Sequence, residues 1–346
     1  MQAVATVMIV TAYVAVLTFV ALKARAARSF TDFSLAGRSL PLALVFGSLA
    51  ATYVGPAFSI GFVGKGYASG FVFLIIGLAY SLQNIFVGFL VAPRLRALHT
   101  CHTLGDVMGQ KYNRTCQILA GLISVGLCAG LAAVMIKAGG SIVTEIFDLP
   151  LWSAVIIVGG ITTLYTTFGG LRASVVTDAF QFTAFSILLP AIFFWIIFTR
   201  VDGGFSSFVQ QATEITTTGW ASVSALEVLG LVTAFLLGET LIPPICNRAL
   251  ASQSTRVSRN GFLLAGSFSA IWFVVMLGLG ILALLQPNVA SAIDGIGAAG
   301  DRENAVLLTL ARYSLPVECY ALIVVVLISI IMSSLDSLLN AGAVAL

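Results

Sequence analysis

A cluster of hydroxyl groups lies in an apolar segment near the end of the chain, where Ser333, Ser334 and Ser337 surround Asp336. Ile330 and the three serines are spaced i, i+3, i+4 and i+7, which places them on one face of a helix. Sodium is a hard cation, and hydroxyls with carbonyls freed from an unwound helix can bind it without a full charge. Serines in apolar helices also hydrogen-bond their own helix or a neighbour. This segment alone favours the hydrogen-bonding interpretation.

Charged side chains interrupt the apolar segments at Lys137, Asp178, Glu239 and Asp336. Each costs at least about 2–3 kcal/mol when it is unpaired inside a bilayer. Lys137 lies roughly 15 Å from the outer end of its predicted helix, counted at the helical rise. We predict that Lys137 pairs with Glu239 across a central cavity. An equally supported interpretation has Lys137 extending outward along its flexible side chain while Glu239 faces water.

Prolines break two apolar segments near the middle of their length. Pro56 follows Gly55 in the first, and Pro243 and Pro244 follow Thr240 in the second. Because proline has no backbone N–H, each break frees carbonyls that only protein or water can satisfy within a membrane. Paired breaks indicate the binding site of a transporter built from inverted repeats. Ordinary proline kinks explain the same pattern, and the breaks alone favour neither interpretation.

The composition predicts a polytopic α-helical membrane protein. Of 346 residues, 59% are hydrophobic and 9% are charged, whereas soluble domains carry about 25% charged residues. The mean hydropathy is +1.05. A bilayer core about 30 Å thick needs roughly 20 apolar residues for each spanning helix. About nine segments meet that need: 3–22, 40–63, 69–92, 116–147, 151–168, 174–199, 223–246, 261–286 and 315–346. The segment 116–147 is long enough to tilt, or to bend at Gly139 and Gly140.

The positions of the basic residues predict the orientation. Most of the 17 Lys and Arg residues fall in alternate loops, among them Lys23, Arg38, Arg96 and Arg248. The positive-inside rule makes that side cytoplasmic and places the N-terminus outside the cell (inner or plasma) membrane. The segment 3–22 has its charges after the apolar run, which is typical of an uncleaved helix rather than a signal peptide.

Several other functions find no support. The five cysteines are scattered, which indicates reduced or buried thiols. His99, Cys101 and His102 lack a four-ligand spacing, and a solvated loop is favoured over a metal site. The chain has neither a GxxxxGK[ST] motif nor HExxH nor a Ser–His–Asp arrangement, so a primary pump and an enzyme are disfavoured. The net charge of +3 gives no indication of nucleic-acid binding.

Three stretches resemble the sodium/solute symporter family, which includes the sodium–glucose and sodium–proline cotransporters. They are residues 33–41 (FSLAGRSLP), 169–181 (GGLRASVVTDAFQ) and 333–340 (SSLDSLLN). Weaker similarity covers 103–112 and 247–251. Because these stretches are spread along the chain, their joint match to one family is specific.

The resemblance implies an all-α integral membrane protein with a LeuT-type inverted-repeat fold. Residues 3–22 would form an extra N-terminal helix, 40–199 the first five-helix repeat and 223–346 an incomplete second repeat, all in a single transmembrane domain 1–346. The family core has ten helices after the first, and the chain has an apolar end without a basic anchor. We interpret this as a C-terminally truncated sequence.

Carried over residue by residue, the resemblance implies a sodium site. Its ligands would be the carbonyls of Ala51, Val54 and Ile330 and the hydroxyls of Ser333 and Ser334. With the resemblance, this interpretation replaces hydrogen bonding alone as the favoured one for the two serines.

The resemblance also assigns an ion-release role to Asp178, near the cytoplasmic sodium exit. The candidate residues of the substrate cavity are Gly55, Pro56, Phe58, Gly77, Lys137, Glu239 and Thr240. Sugar-transporting members place polar residues where this chain has Ala57, Phe58 and Gly77, and a sugar would lose hydrogen bonds there. A sugar is therefore disfavoured, which leaves amino acids, carboxylates, urea-like solutes and organic cations.

The predicted function is sodium-coupled symport of a small organic solute by alternating access. The expected partners are Na⁺, the solute and the lipid bilayer, with no nucleic acid and no cofactor. An alternative is a symporter-like sensory membrane domain of a larger signalling protein such as a histidine kinase. Four or five further spans after residue 346 would support the transporter, and a soluble kinase module would support the sensor.

Overall fold

The computed structural model describes residues 2–24, 29–238, 240–296 and 299–346. The helices of the first half are α1 (Gln2–Lys23), α2 (Phe30–Leu35), α3 (Leu42–Tyr53), α4 (Phe62–Ser69), α5 (Leu74–Leu90), α6 (Ala92–Arg96), α7 (Leu104–Lys111) and α8 (Arg114–Phe147). The second half comprises α9 (Leu151–Arg200), α10 (Gly204–Ser222), α11 (Ala225–Leu237), α12 (Pro243–Ala251), α13 (Thr255–Leu284), α14 (Pro287–Asp294), α15 (Ala299–Ser314) and α16 (Val317–Ala345). The described residues form no strand, only one isolated bridge between Leu40 and Ser252.

Five helical stretches of the described chain are long and apolar enough to cross a membrane: Ala57–Leu90, Arg114–Thr144, Leu151–Arg200, Thr255–Leu284 and Cys319–Ala345. The pair α10 and α11, bent by 101°, makes a sixth if it is counted as one span. The apolar parts of α1 and α3 are shorter, Thr6–Ala21 and Leu42–Tyr53. Each of the nine predicted segments contains helix. Fewer of these helices meet the length and apolarity of a spanning helix than the sequence predicts.

The predicted spans 151–168 and 174–199 form one 50-residue element, α9. Its backbone departs from helical geometry at Gly170, where φ is 59° and ψ is −161°. A Cβ atom at Gly170 would lie 2.8 Å from the carbonyl oxygen of Phe33, so both the conformation and the close approach require glycine. The boundary between the two predicted spans therefore falls at a glycine kink and not at a loop.

Helix α8 runs without a break through Gly139 and Gly140, where a bend was one expectation. The two glycines permit close packing instead. A Cβ atom at Gly139 would lie 2.9 Å from Val158, and one at Gly140 would lie 2.7 Å from Val155, both on α9. Small residues let two apolar helices approach each other in this way.

Two polar stretches that lie outside the nine predicted segments are helical, namely α10 and the pair α14 and α15. Their sequences lack a long apolar run, so a search for spanning segments passes over them. Helix α15 packs against α4, and α10 packs against the turn 70–73 that follows α4. They cover the end of the molecule that carries Lys65, Asp294 and Glu303, called here the acidic end.

The opposite end carries Arg38, Arg96 and the start of α13 and is called here the basic end. Thr103 and Asp106 form a capping box that starts α7, since each side chain accepts a hydrogen bond from the backbone N–H of the other. Asn113 caps α8 and Ser254 caps α13 by a single hydrogen bond each, accepted by the side chain from the backbone N–H three residues later. These caps fix where the long helices begin at this end.

The core is organised around two helices. Helix α16 packs against α8, α9 and α1, and α13 packs against α5, α4 and α3. The most apolar part of α16 is 89% buried, whereas that of α8 is only 17% buried. In a bilayer the exposed apolar side chains of α8 would face hydrocarbon, which needs no polar cover. The broken helix α3–α4 lies between these two groups and contacts both.

Candidate functional site

The first broken helix stops at Tyr53, and Val54 has left helical geometry with φ −99° and ψ 29°. Pro56 then begins a short π-type turn over Ala57–Gly61 that leads into α4. The last carbonyls of a helix have no intrahelical partner, so those around Ala51 are open to other groups. The hydroxyl of Ser59 donates to the Val54 carbonyl at 2.5 Å. The predicted break at Pro56 is therefore present, and its carbonyls point into protein.

The hydroxyl of Ser334 lies directly at this break. A Cβ atom at Gly55 would come within 2.8 Å of the Ser334 Oγ atom, so only glycine fits there without displacing the hydroxyl. Ser334 Oγ is buried and has no hydrogen-bond partner among the described residues. One residue earlier, the hydroxyl of Ser333 donates to the carbonyl of Ile330 at 3.1 Å. An oxygen without a partner in an apolar core is what a bound cation would satisfy.

All five predicted sodium ligands lie in the core. Ala51, Val54, Ile330 and Ser333 are fully buried, and Ser334 is 8% exposed. The oxygens on offer are neutral carbonyls and hydroxyls, the hard ligands that suit Na⁺. Gly55, the residue after Val54, lies against the hydroxyl of Ser334 and so brings the broken helix next to α16. The geometry is consistent with an ion site at this crossing, and the ligand assignment stays a prediction.

A fully buried ion pair lies on the basic-end side of this crossing. Arg248 of α12 donates to Asp178 Oδ2 at 2.9 Å, and neither side chain is exposed. Ser48 of α3 donates to the same carboxylate oxygen at 2.5 Å and accepts from Arg248 Nε at 2.8 Å. Arg248 also donates to the Pro244 carbonyl at 2.9 Å and to the hydroxyl of Ser337. One guanidinium thus joins both broken helices to α9 and α16.

The buried position of Arg248 corrects the sequence analysis, which counted it among the residues of a cytoplasmic loop. It lies inside α12 because Asp178, 70 positions earlier, supplies the opposite charge that makes burial tolerable. The unpaired acid Asp178 in an apolar segment was the available signal that a buried cation should exist. Asp178 keeps one oxygen, Oδ1, without a partner among the described residues.

The second buried acid, Asp336, is held by hydroxyl groups. Tyr165 donates to Asp336 Oδ2 at 3.1 Å and Ser174 donates to Oδ1 at 3.0 Å. Thr177 lies 3.2 Å from Oδ2 and Ser337 lies 3.2 Å from Oδ1. The sequence analysis flagged Asp336 but found no partners for it. Three of these four partners come from α9, on the far side of a crossing that sequence spacing does not reveal.

The other face of the broken helix meets aromatic rings. Phe58 stacks on Tyr80 with ring centroids 4.4 Å apart and an interplanar angle of 17°. Phe235 and Phe273 each lie 5.3 Å from the Phe58 ring. The ring of Phe273 also fills the space above Gly77, where a Cβ atom would lie 2.6 Å from it. Two predicted cavity residues, Phe58 and Gly77, are therefore brought together through Phe273.

The second break separates α11 from α12, which begins with Pro243 and Pro244 in its first turn. Thr240 lies in this break and accepts a hydrogen bond from Gln83 Nε2 at 3.3 Å. Gln83 belongs to α5, as does Tyr80 of the aromatic group. The second break thus reaches α5, the helix that carries Tyr80. The predicted position of Thr240 beside the cavity is consistent with this contact.

Lys137 is exposed on α8, and its described contact is within that helix, where its carbonyl accepts from Ser141. The structure does not bring it to Phe58, Gly77 or Thr240. Glu239 lies outside the described residues, so the predicted Lys137–Glu239 pair lies outside them as well.

The hydroxyl of Ser34 pairs with His102 at 2.9 Å, and the described part of the chain holds no group of metal-ligating side chains.

The basic end is closed by contacts between the segments that precede α3 and follow α12. The Leu40 N–H donates to the Ala251 carbonyl at 3.2 Å, and the Leu40 carbonyl accepts from the Gln253 N–H at 3.0 Å. Arg38 donates to the carbonyls of Leu98 and Cys101. Burial lowers the pKa of Arg38, and the nearby charge of Arg96 lowers it further. Burial also raises the pKa of the Cys101 thiol.

The acidic end is closed by longer side chains. Lys65 of α4 forms a 3.0 Å ion pair with Glu303 of α15, with about a third of each side chain exposed. Tyr67 donates to Asp294 of α14 at 3.1 Å. Exposed pairs of this type contribute little to stability. The acidic end is therefore held less firmly than the basic end, where arginines bind main-chain carbonyls.

Two comparisons with known proteins bear on this geometry. A family model described as "Sodium:solute symporter family" matches residues 33–346. A solved structure described as "Substrate-bound outward-open state of a Na+-coupled sialic acid symporter reveals a novel Na+-site" superimposes with a TM-score of 0.86 at 17% sequence identity. The match covers 99% of this chain and 72% of that chain. At this identity the structural likeness establishes the fold, and the LeuT-type architecture expected from the sequence is confirmed.

Proposed function

The chain belongs to the sodium:solute symporter family, and we propose that it is a sodium-coupled symporter that imports a small organic solute by alternating access. The family consists of membrane transporters and not enzymes, in agreement with the sequence analysis. The chain is accordingly a multi-pass membrane protein. The proposed location is the cell membrane, with the basic end in the cytoplasm and the N-terminus outside.

The observation that carries this proposal is the unpartnered hydroxyl of Ser334 at the Gly55 break. Sodium would take the carbonyls of Ala51 and Val54 from the broken helix. The carbonyl of Ile330 and the hydroxyls of Ser333 and Ser334 would complete the site from α16. Because the ligands come from two helices, an ion binds only when α3 and α16 are held together.

Coupling follows from the shared broken helix. Sodium would fix the side of α3–α4 that faces α16, and the solute would contact the side that faces Phe58 and Tyr80. A ligand that orders one side lowers the cost of ordering the other, so each raises the affinity for its partner. The proposed repeats are 40–199 and 223–346, which follow the accessory segment 3–22. Each begins with a broken helix, and this supports the division of the chain into two repeats.

Ion release would proceed toward the basic end past Asp178. Arg248 neutralises this carboxylate in the present conformation, so a sodium ion gains little from approaching it. When α12 moves away with the basic end, Arg248 withdraws and Asp178 becomes a free negative charge on the exit path. The pair therefore keeps the exit closed to sodium until the basic end opens.

Thermal unfolding in lipid nanodiscs tests the ion site. We expect NaCl to raise the Tm relative to the same concentration of KCl, because a ligand stabilises the state that it binds. The double variant Ser333→Ala/Ser334→Ala should lose this difference. Ser206→Ala/Ser207→Ala on α10 is the matched control, and it should keep it. A sodium effect of equal size in the site variant would overturn the ligand assignment, and the absence of any sodium effect would count against sodium coupling.

A further inference from the structure

The solute side of the broken helix is built from six aromatic rings and very few polar groups. Phe58 occupies the centre of this aromatic cluster, immediately after the break. The rings in contact with it or with one another are Tyr53, Phe58, Phe62, Tyr80, Phe235 and Phe273. Five of them are buried, and Phe235 is half-buried. The cluster is thus accessible from the side of α11, the outer half of the second broken helix.

Two polar atoms of this cluster lack a partner among the described residues, the hydroxyl of Tyr53 and an amide oxygen of Gln83 at the edge of the cluster. Gln83 is 2% exposed, and its Nε2 donates to Thr240 at 3.3 Å. Its Oε1 is buried and accepts no hydrogen bond from the described residues. Leaving a buried acceptor unsatisfied is unfavourable unless a ligand fills it. The complementary ligand group is a hydrogen-bond donor, an N–H or O–H, and not an acceptor such as a carboxylate.

The main-chain N–H groups that a carboxylate would need are already used or missing at both breaks. Pro243 and Pro244 occupy the first turn of α12, so the two positions provide no N–H group. At the first break the N–H groups of Phe58 and Ser59 both donate to the Gly55 carbonyl at 3.0 Å. A helix start without free N–H groups has lost the usual means of binding an anion. An anionic solute is therefore disfavoured at either break.

The nearest basic side chains are also committed elsewhere. Lys65 pairs with Glu303, and Arg248 pairs with Asp178. A sugar is disfavoured as well, because the Phe273 ring fills the space at Gly77 and leaves only the Gln83 amide oxygen and the Tyr53 hydroxyl, among the described residues of the cluster, for many sugar hydroxyls. Aromatic faces attract a cation that lies within about 6 Å of the ring centroid. The aromatic faces and the unpaired Gln83 oxygen together favour a solute group that is both positively charged and a hydrogen-bond donor.

We propose that the solute is a small protonated organic amine with an apolar body. Its ammonium group donates to Gln83 Oε1 and lies against the faces of Tyr80 and Phe58, and its body packs against Phe235 and Phe273. The rings close over one another in the present conformation, so the solute enters when the outer halves of the broken helices separate. This inference rests on the proposed function, since it names the substrate class of the same transporter.

Phenethylamine is the probe, because it combines an ammonium group with one phenyl ring. Thermal unfolding is measured in nanodiscs at pH 7 with NaCl or KCl, and with equal concentrations of phenethylamine, phenethyl alcohol, phenylacetate or glucose. We expect phenethylamine in NaCl to raise the Tm by at least about 2 °C above NaCl alone. The other three compounds should change it by less than half as much.

Variants assign the effect to the cluster. Gln83→Leu should abolish the phenethylamine shift, whereas Gln83→Glu keeps the acceptor and should retain it. Phe58→Leu should raise the phenethylamine concentration for half-maximal shift by about 2- to 30-fold, the range that a lost cation–π contact gives. Gln211→Leu on α10 is the control for Gln83→Leu and should leave the shift unchanged.

The outcomes separate this inference from the proposed function. A stabilising effect of sodium alone, with a larger shift from phenylacetate or phenethyl alcohol than from phenethylamine, overturns the amine assignment and leaves sodium coupling intact. A sodium effect with no phenethylamine shift also overturns it. The loss of the sodium effect itself would instead contradict the proposed function.

Discussion

The two faces of the broken helix α3–α4 differ in what holds them. On the α16 side, the carboxylates of Asp178 and Asp336 bind the Arg248 guanidinium and several hydroxyls at 2.5 to 3.2 Å. On the α5 and α13 side, aromatic rings pack around Phe58. The first face is directional, since its hydrogen bonds and its ion pair hold most of its polar atoms, while Ser334 Oγ and Asp178 Oδ1 have no partner among the described residues. The second is non-directional, since contacts between apolar rings need no fixed pair of atoms.

This difference indicates how each face responds to change. Removing one member of the ion-side network leaves a buried charge or a buried polar atom, which is costly. Removing one ring leaves space that its neighbours can partly fill. We therefore expect ion-side variants to act on stability and sodium dependence, and solute-side variants to act mainly on solute concentration dependence.

The largest effect is expected at Arg248. Replacing it by Met removes the partner of Asp178 and should destabilise the protein by about 3–5 kcal/mol. Adding Asp178→Asn to Arg248→Met removes the stranded charge and should recover much of that loss. Arg256→Met, an exposed position at the start of α13, is the control and should stay within about 0.5 kcal/mol. Thermal unfolding measures all three, and a double variant no more stable than Arg248→Met would contradict the pairing.

A smaller effect is expected from Gly55→Ala, which tests the contact between the first break and Ser334 of α16. The added methyl group lies 2.8 Å from Ser334 Oγ and must displace it, at about 1–3 kcal/mol. Sodium stabilisation should fall with it. Gly126→Ala on α8 meets nothing within 4 Å and should be neutral or stabilising. If Gly55→Ala keeps the full difference between NaCl and KCl, Ser334 does not bind the ion.

The same substitution, Tyr to Phe, at one tyrosine on each face of the broken helix compares the two faces. Tyr165→Phe removes a donor to buried Asp336 and should cost about 1–3 kcal/mol. Tyr53→Phe removes a buried hydroxyl that has no partner among the described residues, so it should be neutral or slightly stabilising. Thermal unfolding of the two variants side by side gives the comparison. Equal losses would show that the solute side is as directional as the ion side.

The smallest effect is expected at Lys65. Its pair with Glu303 is partly exposed, so Lys65→Met should change stability by no more than about 1 kcal/mol. Its effect should shrink further in high salt, because exposed charges are screened. A loss comparable to that of Arg248→Met would show that the acidic end is held as firmly as the buried core.

Much of this fold follows from local sequence. Proline removes a backbone donor wherever it stands, so the breaks at Pro56 and Pro243 are visible without a structure. Helical spacing places Ser333, Ser334 and Ser337 on one face. The length of an apolar run predicts where a spanning helix lies, with the exception that the kink at Gly170 joins two predicted spans into one element.

The remaining features depend on contacts between distant segments. The burial of Arg248 depends on Asp178, and the aromatic cluster collects rings from five separate helices and the first break. Neither pairing leaves a periodic signal in the sequence. Lys137 shows another limit, because its sequence context left open a pair with Glu239 or a side chain that extends outward, and only the structure places it on the exposed side of α8.

Equilibrium binding of ²²Na⁺ to the purified protein tests the ion site most directly. The account predicts saturable binding to the unchanged chain that NaCl displaces and KCl does not. Ser333→Ala/Ser334→Ala should abolish this binding, and Ser206→Ala/Ser207→Ala should preserve it. Undiminished binding to the Ser333→Ala/Ser334→Ala protein, or no saturable binding to the unchanged chain, would contradict the account.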